Sequence, residues 1–462
     1  MYVQNDATHD SRVLREAATL AAAGHTVTVM ATTRTPDEPD GSREERDGFS
    51  IFRVAIPAGD RRGIEAFRAP WRAIRPSLRA IGSAAARGPA GAGSVARGLV
   101  SLAVLAPWLV LRGAWVAIVN RTLRRPIRIG WLEYLRRWRQ ETLGWCRAAV
   151  AHAPVADIHH AHDLEAVPAA RSAARRDGGR SIYDSHEIFT EWGPHREQPG
   201  WLRRGLGAWE RRLAGSAAAV VTVNEAIADV LRDRLSPSRL VVVHNCPSRW
   251  HPPDAAPDHL RRAAAIPPDA PIVLCHGNLM AGRGLEQTAA AMREPGLETA
   301  HLVFLGYRVT VVDRLIADPA TEGRVHYLPA VPPGDVVAWV AGADVDVMAI
   351  QPDDLNSRLS SPNKLFESLA AGVPVVSSDL PVRRRILVDD PDGPLGELCD
   401  PADPASIAAA IRRVLDVPPG ERAARRARIL RAAHARWNWE VEGAKLVALY
   451  DELAASGASA TG

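Results

Sequence analysis

A chain of 462 residues is too long for one hydrophobic core, and two domains of roughly 200 residues are the natural expectation. With 47% hydrophobic and 24% charged residues it is ordinary globular material, which excludes a disordered or fibrous protein. Lys364 and Lys445 are its only lysines, an arginine bias of the kind a GC-rich genome produces. The four cysteines, Cys146, Cys246, Cys275 and Cys399, lie far apart with no pair or metal-ligand spacing, so a reduced, cytoplasmic compartment fits best. No charged region followed by an apolar core opens the chain, so no export signal is expected.

The first thirty residues read as a strand end, a loop, a helix and a strand. Val13, Ala17, Leu20 and Ala21 give the helix an apolar face, Gly24 ends it, and residues 27–30 form the strand. The first strand of this βαβ unit is short: either the start lies inside that strand or the sheet begins with a stub.

Between residues 61 and 147 the composition shifts to 17 arginines against three acids, interleaved with Trp71, Trp108, Trp115, Trp131, Trp138 and Trp145. Such a basic–aromatic mixture suits a membrane interface. Because the whole chain carries only +4, the remainder is acidic overall. Residues 99–119 are apolar except for Ser101 and Arg112, and carry Pro107 and Gly113. Those interruptions argue against a simple span and leave a surface-seated amphipathic segment, a buried helical hairpin and a true span as readings. No nucleic-acid motif accompanies the basic residues.

Strand–helix alternation resumes after Ala153. Strands are expected at 157–163, 180–184, 219–224 and 241–245, with helices at 169–176 and 209–213 between them. His160 and His162 share a face of their strand, so a metal cluster with Asp163 is conceivable; no distant residue has partner spacing, and no metal is expected. His186 and Glu187 end the next strand in YDSHE, where a neighbouring carboxylate, Asp184 or Glu187, could hold the histidine. Residues 246–271, rich in Pro and Asp, make an interdomain linker.

A second series of strands follows at 272–277, 301–305, 325–328, 345–350, 373–377 and 397–398. Asp344 and Asp346 flank Val345 in one of them and are read as structural. Two doubly wound parallel sheets result, with ligands expected at the carboxyl ends of their strands. The loop from Gly277 to Gly284 (GNLMAGRG) follows a strand and precedes a helix; its glycines admit a phosphate to the backbone and Arg283 can neutralise it.

The stretch 360–377, SSPNKLFESLAAGVPVVS, organises this half. Pro362 suits a helix start, Leu365, Phe366, Leu369 and Ala370 make one apolar face, Gly372 stops the helix, and an apolar strand follows. Lys364 and Glu367, three residues apart, share a side of that helix. The helix N-terminus suits an anion, and a carboxylate one turn further in can accept two hydrogen bonds from a vicinal diol such as a ribose. Diphosphate beside ribose is a nucleotide, so this stretch reads as half of a nucleotide-sugar site.

The same stretch resembles the donor-site signature of the family 4 glycosyltransferases, retaining enzymes of the two-domain GT-B fold. Glu367 falls on the second Glu of the family's Glu–seven residues–Glu pattern, which holds the ribose; Leu359 stands where the first Glu would be. Asn356, Asn363 and Lys364 fit a branch with a PNKLFE-type motif that lacks that first Glu. The resemblance implies a donor site of Gly277, Asn278, Gly282, Arg283, Gly284, Asn356, Ser361, Asn363, Lys364, Leu365 and Glu367, in which Arg283 takes a Lys position, Asn278 replaces an Arg, and Lys364 supplies the missing cation. It places His186 beside the donor sugar and makes His186, Arg283, Lys364 and Glu367 the catalytic set. On the acceptor side it implies Arg12, in a loop that stands where the better-known members have a Gly-rich turn; His162, Asp163 and Glu187 are read as lining the same side.

The expected protein is therefore an α/β GT-B enzyme. Residues 1–250 form an acceptor-side Rossmann-like domain carrying a helical basic–aromatic insertion at 61–150, residues 251–436 a nucleotide-sugar-binding domain, and residues 437–462 a closing helix that returns to the first domain. It would transfer sugar from a UDP- or GDP-linked donor, without metal or other cofactor, to a lipid-linked or amphiphilic acceptor in envelope polysaccharide or glycoconjugate assembly. Its place would be the inner face of the plasma membrane. Rival readings are a non-catalytic nucleotide-sugar-binding scaffold, glycosylation of a small natural product, and an epimerase or phosphorylase on the same fold.

Overall fold

The computed structural model describes residues 1–35, 38–57, 130–253, 258–321 and 323–458. It divides into two compact units, Met1–Ala55 with Ala149–Gly462, and Ile56–Ala148.

The larger unit holds two sheets. In the first, β1 (Thr28–Thr32) pairs in parallel with β3 (Phe49–Val54), which pairs antiparallel with β2 (Ser42–Arg46). The strands β4 (Ile158–His162), β5 (Arg180–Ser185), β6 (Ala219–Thr222) and β7 (Leu240–Val242) follow one another in parallel. Tyr2 joins the two sets, bridging Met30 on one side and Ala161 on the other. Tyr2 thus lies at the sheet's centre, paired in parallel on both sides, and the strand order reverses there. The β2–β3 hairpin lies outside the expected strands. Its outer strand, Ser-Arg-Glu-Glu-Arg, has no apolar alternation, but Asp47-Gly48 at the turn, both with positive φ, is the dipeptide such hairpins use.

The second sheet has the order β10 (Val325–Pro329), β9 (His301–Gly306), β8 (Ile272–Gly277), β11 (Val345–Met348), β12 (Val375–Ser378), β13 (Gly396–Cys399), with parallel pairing throughout. Its strands are covered on both faces, which is why they read as unbroken apolar runs rather than alternating ones. Strand order reverses between β8 and β11, the place where open α/β sheets bind ligands.

The helix Trp439–Ala458 packs on the helix Ser11–Ala22. Leu446, Leu449, Tyr450 and Leu453 enter the same core as Val13, Leu20 and Val29 of the first sheet. Trp439 donates its indole N–H to Thr19 Oγ1 at 2.7 Å, and the Arg15 guanidinium lies over the Trp439 ring.

In the smaller unit the described residues form the helix Gly130–Arg137, a π-turn at Trp138–Thr142 and the start of the helix Leu143–His152. Tyr134 and Trp138 stack there, and Glu133 pairs with Arg136 and Arg137. The apolar run 99–119 and Trp71, Trp108 and Trp115 lie outside the described residues. Among the described residues no helix is long and apolar enough to cross a membrane.

Candidate active site

At the switch point of the second sheet, β8 ends in His276-Gly277 and feeds the glycine-rich loop. Gly282 accepts a hydrogen bond from the Gln351 N–H at 2.8 Å, which pins the loop to the segment after β11. Gly284 caps the next helix at φ +75°, and a Cβ there would lie 2.1 Å from the Ala349 carbonyl oxygen, so no other residue fits without moving backbone. Asn278 is exposed and, among the described residues, donates to the Met280 sulfur.

Three cations belong to this end of the sheet. Arg283 is half-buried and its pKa is lowered by burial, with Glu187 and Asp354 opposing. Lys364 is 8% exposed and likewise lowered by burial, with Asp346 opposing. Among the described residues neither side chain has an ion-pair or hydrogen-bond partner. The third, Arg383, escaped the sequence reading, hidden in the run Arg383-Arg384-Arg385. It is fully buried, binds the Ser357 carbonyl and Ser360 Oγ at 2.9 Å through Nη2, and leaves Nε and Nη1 without partners. Burial and the Arg283 charge push it down to about 10. Cations that lie close enough to repel one another raise the local affinity for an anion.

The helix Asn363–Ala370 carries Glu367, whose side chain is 26% exposed. Its Oε2 lies 3.1 Å from His276 Nε2, and its charge reaches Arg15 on the first helix, so the carboxylate faces the gap between the two sheets. Arg15 itself is bonded to the Cys246 carbonyl and Asn245 Oδ1.

Four expected donor contacts turn elsewhere. Leu365 is fully buried in the core beside Phe366 and Leu369, and its N–H already serves the Pro362 carbonyl. Asn356 binds both the N–H and the C=O of Ile188, at 2.8 and 3.1 Å, from across the gap. Ser361 bonds Asn224 Nδ2, and Asn363 Oδ1 accepts from Asn245. These three asparagine and serine side chains link the two sheets.

On the first sheet, β4 ends in His162-Asp163 and β5 in Ser185-His186-Glu187. A cavity of ≈ 280 Å³ opens there, lined among others by His162, Asp163, His186, Glu187, Phe189 and Trp192. Asp163 holds a positive φ of 58°, which aims its carboxylate at His186: Oδ1 accepts the backbone N–H at 3.3 Å and Oδ2 lies 3.3 Å from Nδ1. Asp184 Oδ2 sits 3.2 Å from His186 Nε2. Burial lowers the His186 pKa, but Asp163 and Asp184 outweigh it and hold the ring well above its ordinary value. Glu187 is raised to about 7, chiefly by burial and by Asp163.

Arg12 does not face this cavity. It is 3% exposed, with Nε 2.8 Å and Nη2 3.1 Å from the Asp184 carboxylate, Nη1 on the Val243 carbonyl, and Glu16 at 3.0 Å. Its work is to balance two buried carboxylates. Among the described residues Glu16, His160, His162 and Asp184 have the composition of a metal site, their ligand atoms within 4.8 Å of one another. The Arg12 guanidinium already lies against both carboxylates and puts a positive charge where a cation would have to enter. Asp163, the ligand suggested by the sequence, is engaged with His186 instead. Asp344 accepts the Ile272 N–H at 2.8 Å and Asp346 the Ser368 hydroxyl at 2.8 Å, both inside the second sheet's framework.

Two family models match the chain: "Glycosyltransferase Family 4" over residues 108–246 and "Glycosyl transferases group 1" over residues 270–417. The chain is a GT-B protein related to the family 4 glycosyltransferases. Among curated relatives of these glycosyltransferases, it is 31% identical over 208 residues to a D-inositol 3-phosphate glycosyltransferase of Acidothermus cellulolyticus, covering 42% of this chain and 44% of that one. The matched stretches span between 24% and 58% of the curated relatives' own lengths. The GT-B fold is shared with sucrose-phosphate synthase from Thermosynechococcus elongatus, at a TM-score of 0.64 and 16% identity over 96% of this chain and 93% of that one. It is shared also with Anabaena HepE, crystallised with UDP, at a TM-score of 0.54 and 14% identity over 67% of this chain and 82% of that one.

Proposed function

We propose that this GT-B protein transfers a sugar from a nucleoside diphosphate sugar, UDP- or GDP-linked, with retention of anomeric configuration. One observation carries the reading: at the switch point of the second sheet Arg283 and Lys364, neither in an ion pair among the described residues, repel one another, and Lys364 lies one helical turn from Glu367. A diphosphate supplies the missing charge and a ribose the missing hydroxyls. Leaving-group departure is then assisted by cations already in place, in a gap lined by buried side chains. On the opposite side His186, each ring nitrogen facing a carboxylate, sets its ring edge beside the sugar near the site of transfer. The UDP named for HepE fits the same chemistry.

The acceptor cavity carries Asp163, Glu165 and Glu187. That much carboxylate suits a hydroxyl-rich acceptor face and disfavours a phosphorylated one, unlike the inositol phosphate in one curated relative's name. A lipid-linked or amphiphilic acceptor agrees with the arginine and tryptophan content of residues 61–147. Purified protein incubated with a panel of UDP- and GDP-sugars tests the main claim: donor hydrolysis or transfer, with the product's anomeric configuration read by NMR, is expected. Tight nucleotide binding with no turnover on any donor would favour a binding or scaffold protein instead. Flotation with anionic liposomes tests the membrane contact. The full chain is expected to float and a chain lacking residues 61–147 to stay below; equal partitioning removes the claim.

A further inference from the structure

Glu367 sits on a half-open helix face, where a glutamate side chain is ordinarily free to turn. Here it is not. His276, at the end of β8 and 1% exposed, places Nε2 3.1 Å from Glu367 Oε2 and Nδ1 3.3 Å from Asp346 Oδ1. Asp346, fully buried on β11, is held in turn by the Ser368 hydroxyl at 2.8 Å, and Ser368 is the next residue after Glu367 on the same helix. The three elements that meet at the switch point are therefore tied through one ring. Carboxylate oxygens lie against both ring nitrogens, in hydrogen-bond geometry at Nε2 and at ion-pair distance at Nδ1, an arrangement that favours the doubly protonated ring. Burial lowers the pKa of this histidine, but Asp346 and Glu367 reverse the effect and raise it to about 9.

We propose that His276 is a positioning residue: anchored on Asp346, it holds one oxygen of Glu367 so that the other is presented to the vicinal hydroxyls of the nucleotide's ribose, and it thereby sets the preference for ribose over a sugar lacking those hydroxyls. The inference rests on the donor reading given above. Its positive charge also offsets that of Glu367 beside the diphosphate, which a bare carboxylate would repel. Side-chain entropy gives the clamp its value, because a glutamate already fixed loses little freedom when the ribose arrives.

The test compares binding of UDP with 2′,3′-dideoxy-UDP, and of GDP with its dideoxy counterpart, by calorimetry on the full chain. Hydrogen bonds to a charged group imply that the wild type prefers the ribose form by about tenfold or more. His276→Leu is expected to bring that ratio close to one while pyrophosphate binding is kept, and His276→Gln, which retains a donor toward Glu367, to keep part of it. A folded His276→Leu protein with an unchanged ratio overturns the clamp and leaves the donor reading standing. Wild-type protein that binds neither diphosphate brings down the donor reading and the clamp together. Should His276→Leu fail to fold, ring-nitrogen NMR of the wild type decides: both nitrogens protonated at pH 7.5 and a shift on adding UDP but not pyrophosphate support the clamp, and a neutral ring or no such difference overturns it.

Discussion

Replacing Arg283 with alanine is expected to lower donor turnover about 100-fold or more, the usual cost of removing one preorganised charge from a developing anion. Stability should hardly change, because among the described residues the Arg283 side chain has no ion-pair or hydrogen-bond partner to lose, and removing a cation relieves its repulsion with Arg383 and Lys364. The two effects separate cleanly. A kinetic assay of hydrolysis and transfer beside a thermal melt would show a large fall in kcat with an unmoved Tm. Turnover that survives intact would mean that the diphosphate does not rest on this loop.

Arg12→Met is expected to do the opposite, destabilising the fold by about 3–5 kcal/mol, as removing one partner of a buried ion pair does. Asp184 and Glu16 are both fully buried and would be left facing each other across the missing guanidinium. Burial pushes Asp184 up, but Arg12 and His186 outweigh it and hold the carboxylate well below its usual range. A depressed carboxylate contributes stability above its unfolded pKa of about 3.9 and loses it on acidification through the folded value. The wild type should therefore keep this contribution at neutral pH and shed it only in acid, whereas the variant lacks it at pH 7. Urea midpoints at pH 7 and in strong acid near pH 2 measure the difference, and a double variant, Arg12→Met with Asp184→Asn, should recover part of the loss by removing the stranded charge. Equal midpoints for wild type and Arg12→Met would show that the pair is not what holds this end of the sheet.

What could be read from the chain was whatever depends on neighbours in sequence. The helix that starts after Pro362 and stops at Gly372 follows from local spacing, and so do the apolar parallel strands on either side of it. The ties that build the site do not. Arg12 meets Asp184 across 172 positions and His276 meets Glu367 across 91, contacts that exist only because sheet register brings those strand ends together. A resemblance transfers positions but not side-chain directions. Glu367, Lys364 and Arg283 fall at the switch point, whereas Leu365 turns into the core and Asn356 reaches for Ile188. Arg383 was invisible for another reason. Three successive arginines look like a solvated turn until the fold buries one of them.

The final helix, Trp439–Ala458, belongs by sequence to the end of the chain and by packing to its beginning. Cutting the protein between its two sheets would therefore not yield two autonomous halves. The leading fragment would expose the groove that Leu446, Leu449, Tyr450 and Leu453 fill, and the trailing fragment would carry an orphaned greasy helix. An expressible first half would need that helix grafted ahead of Met1 through a linker, as a circular rearrangement of the chain. In the intact protein, melting of either lobe should pull on the other, and calorimetry would register one shared transition instead of two.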